Sequence, residues 1–186
     1  MTRPLEDRDL PRGLASPPAD PVVVHFDGAC EEVGGRRVAA YGYTLDGAGL
    51  RHEDYGLAVP PGHPRATNNV AEYVGAICAL EWLVRRGYGG EVRLEGDSQL
   101  VVRQMTGEYQ VRAEHLVPYH ERLVQLARSF RAVRFDWVPR EQNRRADELS
   151  KLGVALGTSS ERGRTDRDRA RKARDGPDEP VGRDGP

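Results

Sequence analysis

One short stretch limits the possible folds of this chain more than any other. The run VVVHFD, residues 22–27, has the β-branched and aromatic residues of a buried strand and then reaches Asp27. A buried carboxylate costs free energy unless it is paired or bound to a cation. The sequence therefore predicts a strand that ends on Asp27, with a partner for this carboxylate supplied elsewhere in the chain.

The two ends of the chain differ in composition from its middle. Residues 1–20 and 157–186 are rich in charged residues, proline and glycine and contain few large apolar side chains, which predicts disorder. The remaining residues 21–156 are enough for one domain with its own core. The arginine-rich stretch 162–174 is either a solvated tail, which we favour, or a loose phosphate contact for nucleic acid.

The bulk composition excludes several classes of protein. The chain has 28 basic and 29 acidic residues, a net charge of −1, which is not the strongly basic balance of a simple nucleic-acid binder. Two cysteines, Cys30 and Cys78, suit neither a disulfide scaffold nor a four-cysteine zinc site. Neither a membrane span nor a signal peptide is predicted. These features indicate a cytoplasmic protein that does not bind membranes.

The apolar and turn residues predict the element order β-β-β-α-β-α-α-β-α, an α/β domain with a mixed sheet and helices on its faces. Thr67 and Ser98 are placed to cap the first two helices, and Gly87 is placed where the first helix ends. The predicted strands are 22–26, 36–46, 52–60, 91–97 and 132–139, and the predicted helices are 67–87, 98–105, 115–130 and 144–156.

Four carboxylates fall at or near the ends of these elements. Asp97 ends the fourth strand, Asp147 opens the last helix, and Glu72 heads a stripe of small residues near the start of the first helix. Taken singly, such residues are more often turn residues, caps or solvated positions. Together with Asp27 they are predicted to converge, and converging carboxylates repel one another unless hard cations bind them. Oxygen ligands favour Mg²⁺ or Mn²⁺, and two such ions would bracket an in-line phosphoryl displacement.

Four motifs, DGAC, TNNVAEY, GDSQLVV and WVPREQNRRADELS, resemble in this order the type-one ribonuclease H family. The resemblance covers residues 22–156. It implies a ribonuclease H-like fold with a five-stranded mixed sheet, three antiparallel strands followed by two added in parallel. It further implies an endonuclease that hydrolyses the RNA strand of RNA–DNA hybrids with two Mg²⁺ or Mn²⁺ ions and leaves 5′-phosphate and 3′-hydroxyl ends. The implied metal ligands are Asp27, Glu72, Asp97 and Asp147. We expect a monomer with no obligate protein partner.

The same resemblance predicts the residues that contact the substrate. Asn68 and Asn69 carry amides that suit 2′-hydroxyls and minor-groove base edges, although asparagine also caps helices. Gly28 is predicted to let the backbone approach the RNA strand closely. Gln99 matches a further substrate-contacting position of the family, and Cys30 matches a position near the DNA strand, although a lone cysteine also serves as a small buried residue.

Three features depart from the family pattern. Glu31 and Glu32 replace a Gly- and Asn-rich turn and add negative charge near a phosphate-binding surface. The residues between Trp137 and Asp147 include no histidine, and Arg140 is the nearest candidate to hold a phosphate or leaving group electrostatically. Arginine stays protonated and cannot act as a base. The basic, Trp-rich handle of longer members is absent, so we expect modest affinity with strong salt dependence.

Two alternatives to a hybrid-specific ribonuclease H remain open on the sequence. The first is a catalytically weak or silent domain of the same fold that binds hybrid or double-stranded RNA as an adaptor. The second is a nuclease of the same fold that acts on other substrates. The presence of all four acids favours an enzyme, and the TNN and DSQ sequences favour recognition of ribonucleotides.

Overall fold

Five strands form one mixed sheet within residues 20–174, the part of the chain that this computed structural model describes. The first three strands pair antiparallel as a meander, and the fourth and fifth add to the first in parallel. The spatial order is β3-β2-β1-β4-β5, which confirms the predicted fold class. The strands are β1 (Val22–Val33), β2 (Arg36–Gly47), β3 (Leu50–Leu57), β4 (Glu91–Gly96) and β5 (Ala132–Trp137).

Four α-helices follow the predicted order along the chain. The hydroxyl of Thr67 accepts a hydrogen bond from the backbone N–H of Val70 at 3.2 Å, and this cap begins the first helix. Ser98 caps the second helix in the same way, and Gly87 lies just beyond the end of the first helix with φ +72°. The helices are α1 (Asn68–Arg85), α2 (Gln99–Met105), α3 (Val117–Ala127) and α4 (Arg144–Arg174).

Alternate residues of the central strands face two different helical layers. Val24 and Phe26 of β1 are fully buried in a large core that also holds Leu80 of α1. On the other side of the sheet, α4 packs across β1, β2 and β3, and its Val154 shares a smaller core with Val38. The sheet is therefore covered by α1 on one face and by α4 on the other, and Asp27 lies on the α4 side.

Asp27 lies within β1 and not at its end, so the predicted end of this strand is wrong. The last parallel pair between β1 and β4 joins His25 to Glu95, whereas the antiparallel pairing with β2 continues through Asp27 and Gly42. The strand extends past its parallel neighbour because β2 still supplies hydrogen-bond partners. Asp27 and Asp97 each follow the last parallel pair by two residues, which brings both acids to the same edge of the sheet.

Several other boundaries differ from the predicted ones, and two of them are the starts of elements. Strand β3 begins at Leu50 rather than at His52, because the turn over residues 47–49 has positive φ throughout and returns the chain at once to pair with β2. Helix α3 begins at Val117, after a 3₁₀ turn over Glu114–Leu116, and Pro118 lies in its first turn, as predicted.

Helix α4 continues beyond residue 156, where the sequence predicts the domain to end, and is described as far as Arg174. Gly157 is buried, and a Cβ at this position would lie 2.7 Å from side-chain atoms of both Leu57 and Val38. Residues 157–174, for which the sequence predicts disorder, contain no proline, and their interleaved acids and arginines are compatible with a helix. The boundary at residue 156 stays a prediction, and the predicted disorder of 1–19 and 175–186 lies outside the described residues.

Within residues 20–174, no helix combines the length and the apolar character that crossing a lipid bilayer requires.

Candidate active site

Asp27 is buried on the α4 side of the sheet, with 6% of its surface exposed. The hydroxyl of Ser150, in α4, donates a hydrogen bond to its Oδ2 atom. Burial raises the pKa of Asp27 to about 6, the Ser150 hydrogen bond lowers it, and the nearby carboxylates of Asp97 and Asp147 raise it. One partner of the Asp27 carboxylate is thus the hydroxyl of Ser150. This group is neutral, so it does not balance the negative charge.

Glu72 reaches the same edge of the sheet from α1, with 7% of its surface exposed. The helix comes close to β1 because Gly28 has no side chain: a Cβ there would lie 2.3 Å from the backbone nitrogen of Glu72 and 2.8 Å from Cβ of Ala71. Burial raises the pKa of Glu72 well above its ordinary value, and Asp27 and Asp97 raise it further. Its Oε2 atom is buried and has no hydrogen-bond partner among the described residues.

Asp97 follows β4 directly and is held by contacts to its side chain and its backbone. The side-chain amide of Asn143 donates to Oδ1 of Asp97 and to the carbonyl of Phe26, each at 2.8 Å. The indole N–H of Trp137 donates to the carbonyl of Asp97 at 3.1 Å. Asn143 is 1% exposed, so it joins β1, the end of β4 and the segment before α4 inside the protein.

Asp147, in the first turn of α4, has a different environment. The guanidinium of Arg140 donates to its Oδ1, and the ammonium of Lys151 donates to its Oδ2 at 2.6 Å. Burial acts to raise the pKa of Asp147, but the hydrogen bonds from Lys151 and Arg140 outweigh it and lower that pKa below its ordinary value. Its charge is therefore balanced by two cations of the chain itself.

Three of the four predicted acids form one group. Carboxylate oxygens of Asp27, Glu72 and Asp97 all lie within 4.8 Å of one another, and Asp147 is not a member of this group. All four acids line a surface pocket of about 230 Å³, together with Arg140 and Lys151. The four acids therefore converge on one pocket, as predicted, and three of them lie close to one another. The side chain of Asp147 instead contacts its two cationic partners.

The donor set fits a hard divalent cation. Three carboxylates at this separation repel one another, and burial together with this repulsion raises the pKa values of Asp27 and Glu72. The buried, unpartnered Oε2 of Glu72 is an acceptor that a cation would satisfy. Oxygen-only ligands favour Mg²⁺ or Mn²⁺ over zinc.

The predicted substrate residues lie in different surroundings. Cys30 and Asn68 line the pocket of the four acids, whereas Asn69 lines a neighbouring cavity of about 590 Å³ beside α2. Gln99 is exposed at the start of α2. Gly28 is buried under α1, which fills the space left by its missing side chain, and it also lines the pocket of the four acids. The close approach of its backbone to the RNA strand stays a prediction.

Three residues of the site were not predicted from the sequence: Asn143, Ser150 and Lys151. Each contacts a predicted acid, and Ser150 and Lys151 follow Asp147 in α4 by three and four residues. The helical period places residues at this spacing on one side of α4, which is a signal that the sequence contains. Asn143 carries no comparable signal, because its partners are 46 and 117 residues away.

The residues that depart from the family pattern also lie at this site. Glu31 lines the pocket of the four acids, and the next residue, Glu32, is exposed. Arg140 is exposed to 65% and contacts Asp147. The hydrogen bond to Asp147 raises the pKa of Arg140, so the guanidinium is fixed in its charged form.

The chain is similar to known proteins over most of this domain. Residues 46–153 match the family model described as reverse transcriptase-like. Ribonuclease HI of Halobacterium salinarum is 37% identical over 131 residues, which cover 69% of this chain and 62% of that protein. The bifunctional protein Rv2228c of Mycobacterium tuberculosis is 43% identical over 86 residues, 46% of this chain. The match spans only 23% of Rv2228c, about a quarter of this longer relative.

Solved structures agree with this similarity. RNase H1 of Halobacterium salinarum superimposes with a TM-score of 0.62 at 34% identity, covering 72% of this chain and 97% of that one. The N-terminal RNase H domain of Rv2228c gives 0.63 at 32% identity, with 75% and 98% covered. LC11-RNase H1, in complex with an RNA/DNA hybrid, gives 0.63 at 30% identity, with 74% and 99% covered. On its sequence, its fold and these relatives, the chain belongs to the type-one ribonuclease H family.

Proposed function

We propose that this protein is a ribonuclease H, an endonuclease that hydrolyses the RNA strand of RNA–DNA hybrids and leaves 5′-phosphate and 3′-hydroxyl ends. The observation that carries the proposal is the group of three carboxylates within 4.8 Å, one of them with a buried and unpartnered oxygen. The similarity to LC11-RNase H1, whose structure contains an RNA/DNA hybrid, supports the choice of substrate.

Two divalent ions, Mg²⁺ or Mn²⁺, are part of this proposal. Asp27, Glu72 and Asp97 would hold them, with Asp147 as the fourth ligand. When bound, such ions lower the pKa of a coordinated water and stabilise the attacking and leaving oxygens of an in-line displacement. The chain itself contributes a preformed group of carboxylates whose repulsion a cation relieves, which favours loading of the site.

Arg140 and Lys151 would act through their charge. Both line the pocket of the acids, and both hold the carboxylate of Asp147. A phosphodiester that enters the pocket brings a negative charge that these two cations attract. Because the pKa of Arg140 is raised, its role is electrostatic and not that of a base.

We propose that Asn68 and Cys30 contact the substrate at the rim of the pocket, and that Asn69 and Gln99 contact it further along the surface of α1 and α2. Asn68 and Cys30 line the pocket itself, and the side-chain amides of the other two suit 2′-hydroxyls and base edges. Gly28 enters this proposal as the residue that lets α1 bring Glu72 to the pocket.

The proposal also includes a monomer in a reducing cytoplasm, without an obligate protein partner. The two cysteines support the reducing compartment, since Cys30 and Cys78 are both free thiols. Sedimentation of the purified full-length chain measures the oligomeric state, and a dimer at micromolar concentration would contradict this part.

The decisive experiment is cleavage of an end-labelled RNA strand annealed to DNA, with Mg²⁺, with Mn²⁺ and with a chelator. We expect metal-dependent cutting of the RNA strand and no cutting of duplex RNA, duplex DNA or single strands. Asp54→Asn, which changes an exposed acid on the edge strand β3, is the control variant for loss of an acid elsewhere. Cleavage of duplex DNA would contradict the proposal.

Absence of cutting with either metal, in protein shown to be folded, would favour a silent adaptor that binds hybrid or duplex RNA. The pairing of Asp147 with Arg140 and Lys151 is the feature that would then explain the silence, because a carboxylate held by two cations is a poorer metal ligand. Measuring hybrid binding in the same protein separates this adaptor from a domain that binds no nucleic acid.

A further inference from the structure

Ser150 is a fully buried hydroxyl in contact with the predicted metal ligands. It has no exposed surface, and its Oγ lies within hydrogen-bond distance of two acceptors, Oδ2 of Asp27 and, at 2.9 Å, the carbonyl oxygen of Asp147. A serine hydroxyl carries one proton, so it donates to one of these acceptors at a time. The carboxylate is the stronger acceptor whenever Asp27 is ionised, because hydrogen bonds to charged groups are the stronger ones.

The fold brings Ser150 to Asp27 through a glycine on the neighbouring strand. Gly42 of β2 is paired with Asp27 in the sheet. A Cβ at Gly42 would lie 2.5 Å from the backbone nitrogen of Ser150 and 2.6 Å from the carbonyl oxygen of Ala146. No side chain fits between β2 and α4 at this level, and the helix is therefore close enough for a side chain as short as serine to reach the carboxylate.

A carboxylate that binds a cation has to present its oxygens in a fixed direction. Asp27 lies in a regular strand, which fixes its backbone, but its carboxylate still rotates about χ2 unless one oxygen is held. The Ser150 hydroxyl holds Oδ2 from the side of α4, opposite to the helix that supplies Glu72. Residues that hold a metal ligand in this way change metal affinity or activity by roughly 10- to 100-fold when they are removed.

We propose that Ser150 is a positioning residue, which fixes the orientation of the Asp27 carboxylate for binding of a divalent cation. The inference rests on the proposed function, because that proposal identifies the cation site. The role of Ser150 is an addition to it. The competing explanation is a purely structural one, in which the hydroxyl serves only the carbonyl of Asp147 within α4.

The test compares Ser150→Ala with Ser159→Ala in the full-length chain. Ser159 lies in the same helix, and its hydroxyl also donates to a backbone carbonyl of the preceding turn, that of Ala155. It is exposed and does not contact Asp27, so it is a control for the loss of the bond within the helix. We expect Ser150→Ala to weaken Mn²⁺ binding about tenfold in titration calorimetry, and to lower kcat for hybrid cleavage with little change in KM. Ser159→Ala should match the wild type in both.

A melting temperature for each variant separates folding from positioning. If Ser150→Ala does not fold, Ser150→Cys retains a donor at this position, weaker and slightly larger than the hydroxyl, and it should still bind Mn²⁺ less tightly than the wild type. Mn²⁺ affinity and kcat equal to those of Ser159→Ala, in a folded Ser150 variant, would overturn the inference. Mn²⁺ binding without any hybrid cleavage by the wild type would instead contradict the proposed function, and the Mn²⁺ comparison would still decide the role of Ser150.

Discussion

The buried acids and Asp147 show two ways of placing negative charge in one pocket. Asp27, Glu72 and Asp97 lie together with hydrogen bonds from neutral groups, and the pKa values of Asp27 and Glu72 are raised. Asp147 is held by Arg140 and Lys151, and its pKa is lowered. The difference teaches that the first group has no cation of the described part of the chain beside it, whereas Asp147 already has two. In the proposed metal site, Asp147 would have to exchange these cations to become a ligand.

The largest expected effect follows from changing the first group. Asp27→Asn removes a ligand charge with little change of shape, and we expect cleavage of the hybrid to fall by on the order of 10³-fold or more, since cation binding supplies several kcal/mol. Binding of the hybrid, measured by fluorescence anisotropy in Ca²⁺, should remain. Near-normal turnover in this variant, with Asp54→Asn as control, would show that the buried acids are not the metal site.

The second prediction concerns stability against pH in the metal-free protein. Burial raises the pKa of Asp27 from 3.8 to about 6, so the folded state binds its proton more tightly than the unfolded state does. The free energy of unfolding should therefore fall as the pH rises from about 4 to about 6, by up to about 3 kcal/mol from this group. Glu72 acts in the same direction, and Asp147, whose pKa is lowered, loses its stabilising effect only at lower pH.

Urea unfolding in EDTA between pH 4 and pH 7 measures this dependence, with Asp27→Asn as the matched variant that lacks the titrating group. The decline should be smaller in Asp27→Asn, and millimolar Mg²⁺ in place of EDTA should reduce it in the wild type because the ion stabilises the ionised carboxylates. Identical pH profiles for the two proteins would contradict the idea that the buried group lacks a compensating charge.

A smaller effect is expected from changing one of the two cations that hold Asp147. Arg140→Ala removes one cation from Asp147, and we expect kcat to fall about tenfold, equivalent to about 1.4 kcal/mol, with a smaller change in KM. Arg134→Ala, which removes an exposed arginine of β5, is the control for the loss of a positive charge. An unchanged kcat would make Arg140 an ordinary surface residue.

The smallest effect is expected for the stability contributed by Lys151. Its ammonium is 55% exposed and contacts Asp147 at the helical spacing i, i+4, so Lys151→Ala should lower the free energy of unfolding by only about 0.5 kcal/mol at pH 7. The loss should shrink as the pH falls through the lowered pKa of Asp147, because protonation of this carboxylate removes the ion pair. A loss of several kcal/mol would mean that Lys151 is part of the core of the site and not a screened partner at its rim.

The fold and the acids of the site were predictable because their signals are local. Apolar periodicity, the caps at Thr67 and Ser98, and the motifs around the acids predict the elements and their order, and the structure confirms them. The end of β1 was not predictable in this way, because a strand ends where its neighbours stop pairing. Here the antiparallel pairing of Asp27 with Gly42 carries the strand past its parallel partner.

The environment of the buried Asp27 and Glu72 depends on contacts between residues far apart in sequence. Ser150 reaches Asp27 across 123 positions, and this contact depends on the close approach that Gly42 allows. Gly28 illustrates the same limit, since the sequence shows that a glycine is present but not that α1 fills the space beside it. The surroundings of Asp27 and Glu72 are therefore a property of the packed structure, whereas the spacing of Asp147 and Lys151 could have been found in the sequence.

The amide of Asn143 has a consequence for the short segment between β5 and α4. Its two donated hydrogen bonds, together with that from the N–H of Val138 to the carbonyl of Gly96, fix this segment to the sheet. The bond from the N–H of Asn143 to the carbonyl of Arg140 closes a turn within the segment. The conformational entropy of these residues is thus lost when the chain folds and not when a ligand arrives. In the proposed metal site, recruitment of Asp147 would therefore need rotation of its side chain away from Arg140 and Lys151, and not the ordering of a loop.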